Sequence, residues 1–220
     1  MEVIESSVSS GIAVSYGFAI LVGFALSAAC GMRIFAPLAI VAVATHFGWI
    51  NPGGGFAWIG STPAVICFAV ACVLEILGML IPWLDHVLDV AGTPVAAVAG
   101  TVVMASQLAA VSGIDTSAVP PWATWALAAV VGGGVATGVH AATGTLRVGS
   151  TAVSGGFLNP IYAIIETISS FVLAGLAVLL PIVAVVVAII LVISIGAIAI
   201  AVFRWRKRSG GSKAPVPVPS

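Results

Sequence analysis

Runs of apolar residues, interrupted by glycine, proline or charge, divide the chain into seven stretches at about 11–30, 34–50, 63–82, 91–112, 122–142, 160–180 and 182–203. Most approach the roughly 20 residues that an α-helix needs to cross a hydrocarbon layer of about 30 Å. The last, IVAVVVAIILVISIGAIAIAVF, is apolar on every side and lacks the in-out alternation of a barrel strand. The pattern predicts an all-α fold, a polytopic transmembrane helical bundle of six to seven spans. The second run, IFAPLAIVAVATHFGWI, is the shortest and carries His46, so it reads as either a span or a re-entrant half-helix.

Charge placement gives an orientation. If the second run crosses, Arg33, Arg147, the cluster Arg204, Arg206, Lys207 and Arg208, and Lys213 all fall on one side, with Glu2, Glu5 and Asp115 on the other. The positive-inside tendency then puts the C-terminus in the cytoplasm of a multi-pass protein of the inner (plasma) membrane. Trp49, Trp58, Trp83, Trp122, Trp125 and Trp205 lie at or beside the expected span ends, the headgroup level that tryptophan prefers. Residues 1–10 read as a short tail, 11–205 as the membrane domain and 206–220 as a basic, then Pro-rich tail too poor in large side chains to pack.

Composition narrows the function classes. Of 220 residues, 61% are hydrophobic and 6% charged, with zero formal net charge, which leaves no soluble catalytic module and no basic surface for nucleic acid. The lipid bilayer is the expected partner, with anionic headgroups at residues 204–208. Cys30, Cys67 and Cys72 sit in apolar runs and read as packing. The first eleven residues, MEVIESSVSSG, carry acids and no base, unlike a cleaved signal peptide.

The scarce polar residues are therefore the candidates for chemistry, because each is expensive to hold near hydrocarbon. Glu75 precedes Pro82 by seven residues and Glu166 follows Pro160 by six, which at about 1.5 Å per residue puts both carboxylates about 10 Å inside their helices. They read either as counter-charges for Arg33 and Arg147 or as the ligands of a proton, cation or polar solute. His140 and the polar stretch TGTLRVGSTAVSGGFLN, residues 143–159, reach the same side. Within it Ser154, Gly155, Gly156 and Asn159 are expected to form irregular backbone lining a pocket open to the cytoplasm. Asp85 and Asp89 are one helical turn apart beside His86, a spacing that can hold Mg²⁺, so a divalent cation is the one cofactor the pattern admits. The alternative for these three is an interfacial polar face. Gly132, Gly133, Gly134 and Gly138 form a small-residue face for close helix packing. No phosphate-binding loop, zinc spacing or serine-nucleophile motif is present.

Two stretches share a loose plan, a Gly-to-Arg step at Gly31–Arg33 and Gly144–Arg147, an Asn-Pro pair at Asn51 and Asn159, then a helix with one glutamate. Unequal spacings make an internal repeat a suggestion only.

Taken together, ACGMR at 29–33, Glu75, IPWLDHVLD at 81–89, GGGVATGVHA at 132–141 and SGGFLNP at 154–160 resemble the bacterial membrane-protein family catalogued as domain of unknown function 4126. The resemblance covers residues 20–205 or so and implies a polytopic inner-membrane protein, with no activity attached. The family pattern has an Asp-Lys pair before the Ile-Pro step and an Arg before the next span. Here residues 77–80 and Thr93 stand there instead, which leaves Glu75 and Asp85 fewer nearby cations.

Three function classes follow from the residues. A small transporter or channel for a small polar or ionic solute ranks first, using Glu75, Glu166, Arg33 and Arg147. A non-catalytic subunit or assembly factor of a larger membrane complex is the second; a homo-oligomer or a membrane-complex partner is the protein association that the pattern admits. A Mg²⁺-dependent intramembrane enzyme acting on a phospho- or isoprenoid lipid is the third.

Overall fold

The computed structural model describes residues 2–79, 82–112, 120–155 and 157–210; the side chains of 2–10, 12, 13, 54, 82–90, 112 and 205–210 lie outside that description. All regular structure among the described residues is helical. The elements are α1 (Glu2–Met32), α2 (Phe35–His46), a 3-10 helix (Gly54–Gly60), α3 (Thr62–Gly78), α4 (Pro82–Ser112), α5 (Pro121–Leu127), a π-helical stretch (Ala128–Gly133), α6 (Gly134–Ser154), α7 (Asn159–Leu179) and α8 (Pro181–Gly210).

Among the described residues five segments are long and apolar enough to cross a membrane: Val14–Met32, Ala91–Val111, Pro121–Ser154, Asn159–Leu179 and Pro181–Arg204. The chain is a multi-pass integral membrane protein. The other two expected spans are shorter helices of 12 and 17 residues, α2 and α3. At about 1.5 Å per residue α2 is roughly 18 Å long, well under the hydrocarbon thickness. It packs on α3, α7 and the 3-10 helix. Its end is tied to the 3-10 helix through His46 Nδ1 and the Gly60 carbonyl, 2.8 Å apart. The α2–α3 pair is thus a hairpin laid against α7.

Helix ends differ from the apolar runs where polar residues satisfy themselves. Helix α6 runs to Ser154, not to residue 142, because Thr145, Thr151 and Ser154 each donate to the carbonyl four residues back and need no water. Helix α4 starts at Pro82, whose missing N–H costs nothing in a first turn, so residues 82–89 are helix and not a connecting segment. Helix α1 begins at Glu2 and α8 continues to Gly210, so residues 2–10 of the expected N-terminal tail and 206–210 of the C-terminal one continue the flanking helices. Residues 211–220 lie outside the described residues. Pro181 opens α8 directly after α7, which Leu180 ends.

The core is α1 surrounded by α4, α6, α7 and α8. Ala25, Ala29, Cys30, Ala96, Val103, Met104 and Ala136 are almost fully covered there. Small residues bring backbones together without a hydrophobic drive from water, as expected inside lipid. A Cβ placed on Gly100 would lie 2.5 Å from the Gly132 carbonyl oxygen and 2.6 Å from Ala136 Cβ. The GGG run is therefore a packing surface at Gly132 and Gly133, whereas Gly134 and Gly138 face open space. The π-helical stretch falls at this crossing with α4, where Gly132 and Gly133 meet it. Trp49, Trp58, Trp122 and Trp125 are all exposed and cluster at the end of the bundle where α2 finishes and α5 begins. The side chains of Trp83 and Trp205 lie outside the described residues.

A branched side chain at the α4–α6 contact has nowhere to go. Gly132→Val is predicted to cost about 1–3 kcal/mol, read as a lower thermal unfolding temperature in detergent. Gly134→Ala, facing open space one turn edge away, should change stability by less than about 0.5 kcal/mol.

Candidate functional site

The buried face of α7 explains how Glu166 reaches the interior. Ala163, Glu166, Ser170, Leu173, Ala174 and Ala177 recur at helical spacing and are buried, while Ile161, Ile164, Ile165, Ile168 and Val172 are exposed on the lipid side. Glu166 Oε2 lies 3.2 Å from Arg33 Nη2 and also accepts a hydrogen bond from Arg147 Nη2. All three side chains are less than one-tenth exposed. Arg33 Nη2 donates as well to the Ala163 carbonyl at 3.3 Å. One turn along α7, Ser170 Oγ donates to the Ala29 carbonyl at 3.0 Å and ties the same face to α1. An arginine from the α1–α2 junction and one from α6 are thus held by a single carboxylate. Arg33 Nε and Glu166 Oε1 are buried with no hydrogen-bond partner among the described residues.

Glu75 is placed differently. Helix α3 ends at Gly78 rather than Pro82, so the carboxylate lies three residues, about 4.5 Å, from its helix end, on residues next to the Arg33 that Glu166 holds. Its two oxygens accept from consecutive backbone N–H groups, Ile34 N at 2.8 Å and Phe35 N at 3.0 Å. Those amides open α2, whose N-cap residue Ile34 has no side-chain acceptor to offer. First-turn N–H groups away from water require an acceptor, and a carboxylate there also meets the positive end of the helix dipole. Glu75 is a cap supplied from a neighbouring helix.

His140 stands in the middle of the long α5–α6 segment rather than at its end. Its Nδ1 lies 3.2 Å from the Gly31 carbonyl, across from Gly92 of α4, where a Cβ would come within 2.7 Å of His140 Nε2. Glycine at 92 makes room for the ring.

Between these groups lies a cavity of about 260 Å³ whose walls include Arg33, Glu75, His140 and Arg147 beside Phe35 and Val95. One water occupies about 30 Å³ in the liquid, so there is room for several waters or a solute of a few heavy atoms. Glu166 lies behind the arginines and is not a wall residue. The residues of the supposed duplication do not correspond in role: Arg33 and Arg147 both reach Glu166, while Glu75 serves α2.

The structure separates the remaining site residues from this cavity. Ser154 Oγ accepts from Leu158 N at 3.2 Å, Asn159 Nδ2 donates to Thr151 Oγ1 at 2.8 Å, and Gly155 takes φ +64° as the left-handed end of α6. They build the α6–α7 turn, not a pocket wall, because the hydroxyl back-bonds keep α6 regular to Ser154. Gly156 and the side chains of Asp85, His86 and Asp89 lie outside the described residues. Among the described residues no group of three or more His, Cys, Asp and Glu could hold a metal ion. Sequence reasoning missed the Ile34 and Phe35 amides and Gly92. The available signal was Pro37, which marks a helix start with no Ser, Thr, Asp or Asn beside it to cap the freed N–H groups.

A second hollow of about 330 Å³ between α2 and α7 is walled by Ile40, Val43, Trp49, Phe171 and Leu179 and holds no ionisable group.

A family model described as domain of unknown function (DUF4126) matches residues 20–201. The chain belongs to that family. The match encloses Arg33, Glu75, His140, Arg147 and Glu166 of the candidate site just described. No curated protein and no solved structure shows a match to the chain.

Neutralising Glu166 leaves two buried guanidinium groups without their shared counter-charge. Glu166→Gln is predicted to lose about 3–5 kcal/mol of stability, seen as a large drop in melting temperature or in folded yield. Asn159→Ala, at the partly solvated turn, should lose no more than about 1 kcal/mol by the same measurement.

Proposed function

We propose that the protein is a small transporter or channel for a small polar or ionic solute, with the cavity beside Arg33, Glu75, His140 and Arg147 as its binding site. The observation that carries this reading is the cavity itself: a partly open hollow of about 260 Å³, largely apolar in its lining, whose walls also carry two arginines, a glutamate and a histidine. Ionisable groups within membrane helices are expensive, and a merely structural ion pair needs no void beside it. The site lies toward the end of the bundle where α6 and α8 finish, with Gly149 packed against Val202 shortly before Arg204. The basic residues 204–208 beside that end support a cytoplasmic orientation through the positive-inside tendency. Arg33 and Arg147 hold the site polar, Glu166 fixes them, and Glu75 sits at the edge where a hairpin can move.

Three of the four carboxylate oxygens of Glu75 and Glu166 already face N–H donors, which favours a neutral or anionic solute over a cation. The test is flux in proteoliposomes, using solid-supported-membrane currents under separate gradients of protons, sodium, chloride and acetate. The wild type should carry at least one of these. Val95→Trp, which fills the cavity from α4, should cut that flux about tenfold or more while the protein stays folded. A folded wild type that carries none of them, or a flux indifferent to Val95→Trp, removes the proposal.

A further inference from the structure

The second hollow, between α2 and α7, has a ligand chemistry of its own that does not depend on transport. We propose that it holds one acyl chain of a bilayer phospholipid, wedged between the α2–α3 hairpin and the body of the bundle. Its walls are two helix faces set across a gap: Ile40, Val43 and Ala44 on α2, and Phe171, Gly175 and Val178 on α7, each at helical spacing. Elsewhere in this bundle glycine brings helices into backbone contact, as at Gly100, where a Cβ would lie 2.5 Å from the Gly132 carbonyl oxygen. Gly175 does the opposite, since a Cβ placed there meets nothing within 4 Å. The missing side chain leaves a space of about 330 Å³ instead of a closer approach. At about 30 Å³ for a water-sized group, that is room for roughly eleven carbons.

The walls limit what can fill it. No ionisable side chain lines the hollow, and apolar spaces of this kind stay dry. An empty space forfeits the dispersion contacts of its lining, so an apolar occupant is favoured. The hollow is continuous with the lipid-facing surface of α7, where Ile164, Ile168, Val172 and Leu179 are exposed and Leu179 is itself a wall residue. The liquid at its mouth is therefore acyl chain. From Phe171 to Leu179 the α7 wall runs about 12 Å, close to the depth of one leaflet of a hydrocarbon core of about 30 Å.

Trp49 marks the headgroup end. The chain turns at Gly48, whose φ is +73°, and Trp49 N donates to the Ala44 carbonyl at 2.8 Å, which folds the indole back beside the end of α2. Phe47 stacks on it with ring centroids 5.8 Å apart. Trp49 thus lines the hollow with one part of its ring and stays 66% exposed, the divided environment that tryptophan takes at the membrane surface. Helix α8 runs back from Pro181 towards the basic residues 204–208, so this end belongs to the leaflet away from them. A chain lodged here supplies contact between hairpin and bundle that the side chains of α2 and α7 leave unmade.

The experiment reads lipid binding. Full-length protein is stripped of lipid in digitonin, a steroidal detergent without an alkyl chain, and melted with rising dimyristoyl phosphatidylcholine. The controls are diphytanoyl phosphatidylcholine, whose chains carry methyl branches, and glycerophosphocholine, which has no chain. The straight-chain lipid alone should raise the wild-type melting temperature. Gly175→Leu directs a side chain into the hollow with nothing in its way, so it should fold and need about tenfold more of that lipid for the same rise. Native mass spectrometry of wild type released from dimyristoyl phosphatidylcholine nanodiscs should also show a retained phospholipid, a readout that needs no variant. Equal responses of variant and wild type, equal responses to straight and branched chains, a rise from glycerophosphocholine, or no retained lipid would each overturn the proposal. So would a dimer that Gly175→Leu dissociates, since the hollow would then belong to a second copy of the chain. A protein that retains the lipid but carries no flux in proteoliposomes loses the transport reading alone.

Discussion

Charge held away from water must be matched locally, and in this bundle one carboxylate does most of that matching. Glu166 holds Arg33 and Arg147 together, so the end of α1, the middle of α6 and the first turns of α7 must meet at one point. Breaking such a cluster leaves uncompensated charge in a low-dielectric interior, a penalty of about 3–5 kcal/mol. Few arrangements of these three helices satisfy that demand. Replacing the whole cluster with apolar groups could be neutral for stability, so its presence argues for a role beyond holding helices.

The rest of the bundle is arranged so that this polar layer can form. Gly31, Gly100 and Gly132 allow α1, α4 and the α5–α6 segment to approach within backbone contact, which draws the arginine-bearing elements inward. Ser27 Oγ donates to the Gly100 carbonyl at 3.1 Å at the same crossing, a polar tie that needs no charge. Helix α2 pays for being short by exposing its first amides inside the membrane, and Glu75 meets them from α3. The cavity lies beside the start of α2, against α4 and α6.

Much of the fold was legible in the sequence. All seven apolar runs are helical, since a segment like residues 182–203 has no alternative inside lipid. Ends were less legible: Thr145, Thr151 and Ser154 read as loop residues by polarity, yet each finds its acceptor within its own helix. For the same reason Ser154, Gly155 and Asn159 belong to a turn and not to the cavity wall. Arg33 and Arg147 as partners of a glutamate were open to a sequence reading, because few cations compete for the role. Which glutamate was not, since depth alone cannot distinguish a carboxylate facing two guanidinium groups from one facing two amides. The stripe at 163, 166, 170, 173, 174 and 177 on α7 held the answer, as it turns Glu166 toward α1.

Two acidic residues that look alike in sequence therefore play unlike physical parts. Glu166 is enclosed, bound to two formal charges and carried on a helix packed against α1, α2 and α8, so moving it would disrupt several interfaces at once. Glu75 is bound to partial charges, on a 17-residue helix with one face to the lipid, at the rim of a void. Partial charges release a carboxylate at lower cost than formal ones do, and a peripheral helix moves at lower cost than a central one. The two carboxylates thus stand on either side of Arg33, one enclosed between guanidinium groups and the other capping a helix at the rim of the cavity.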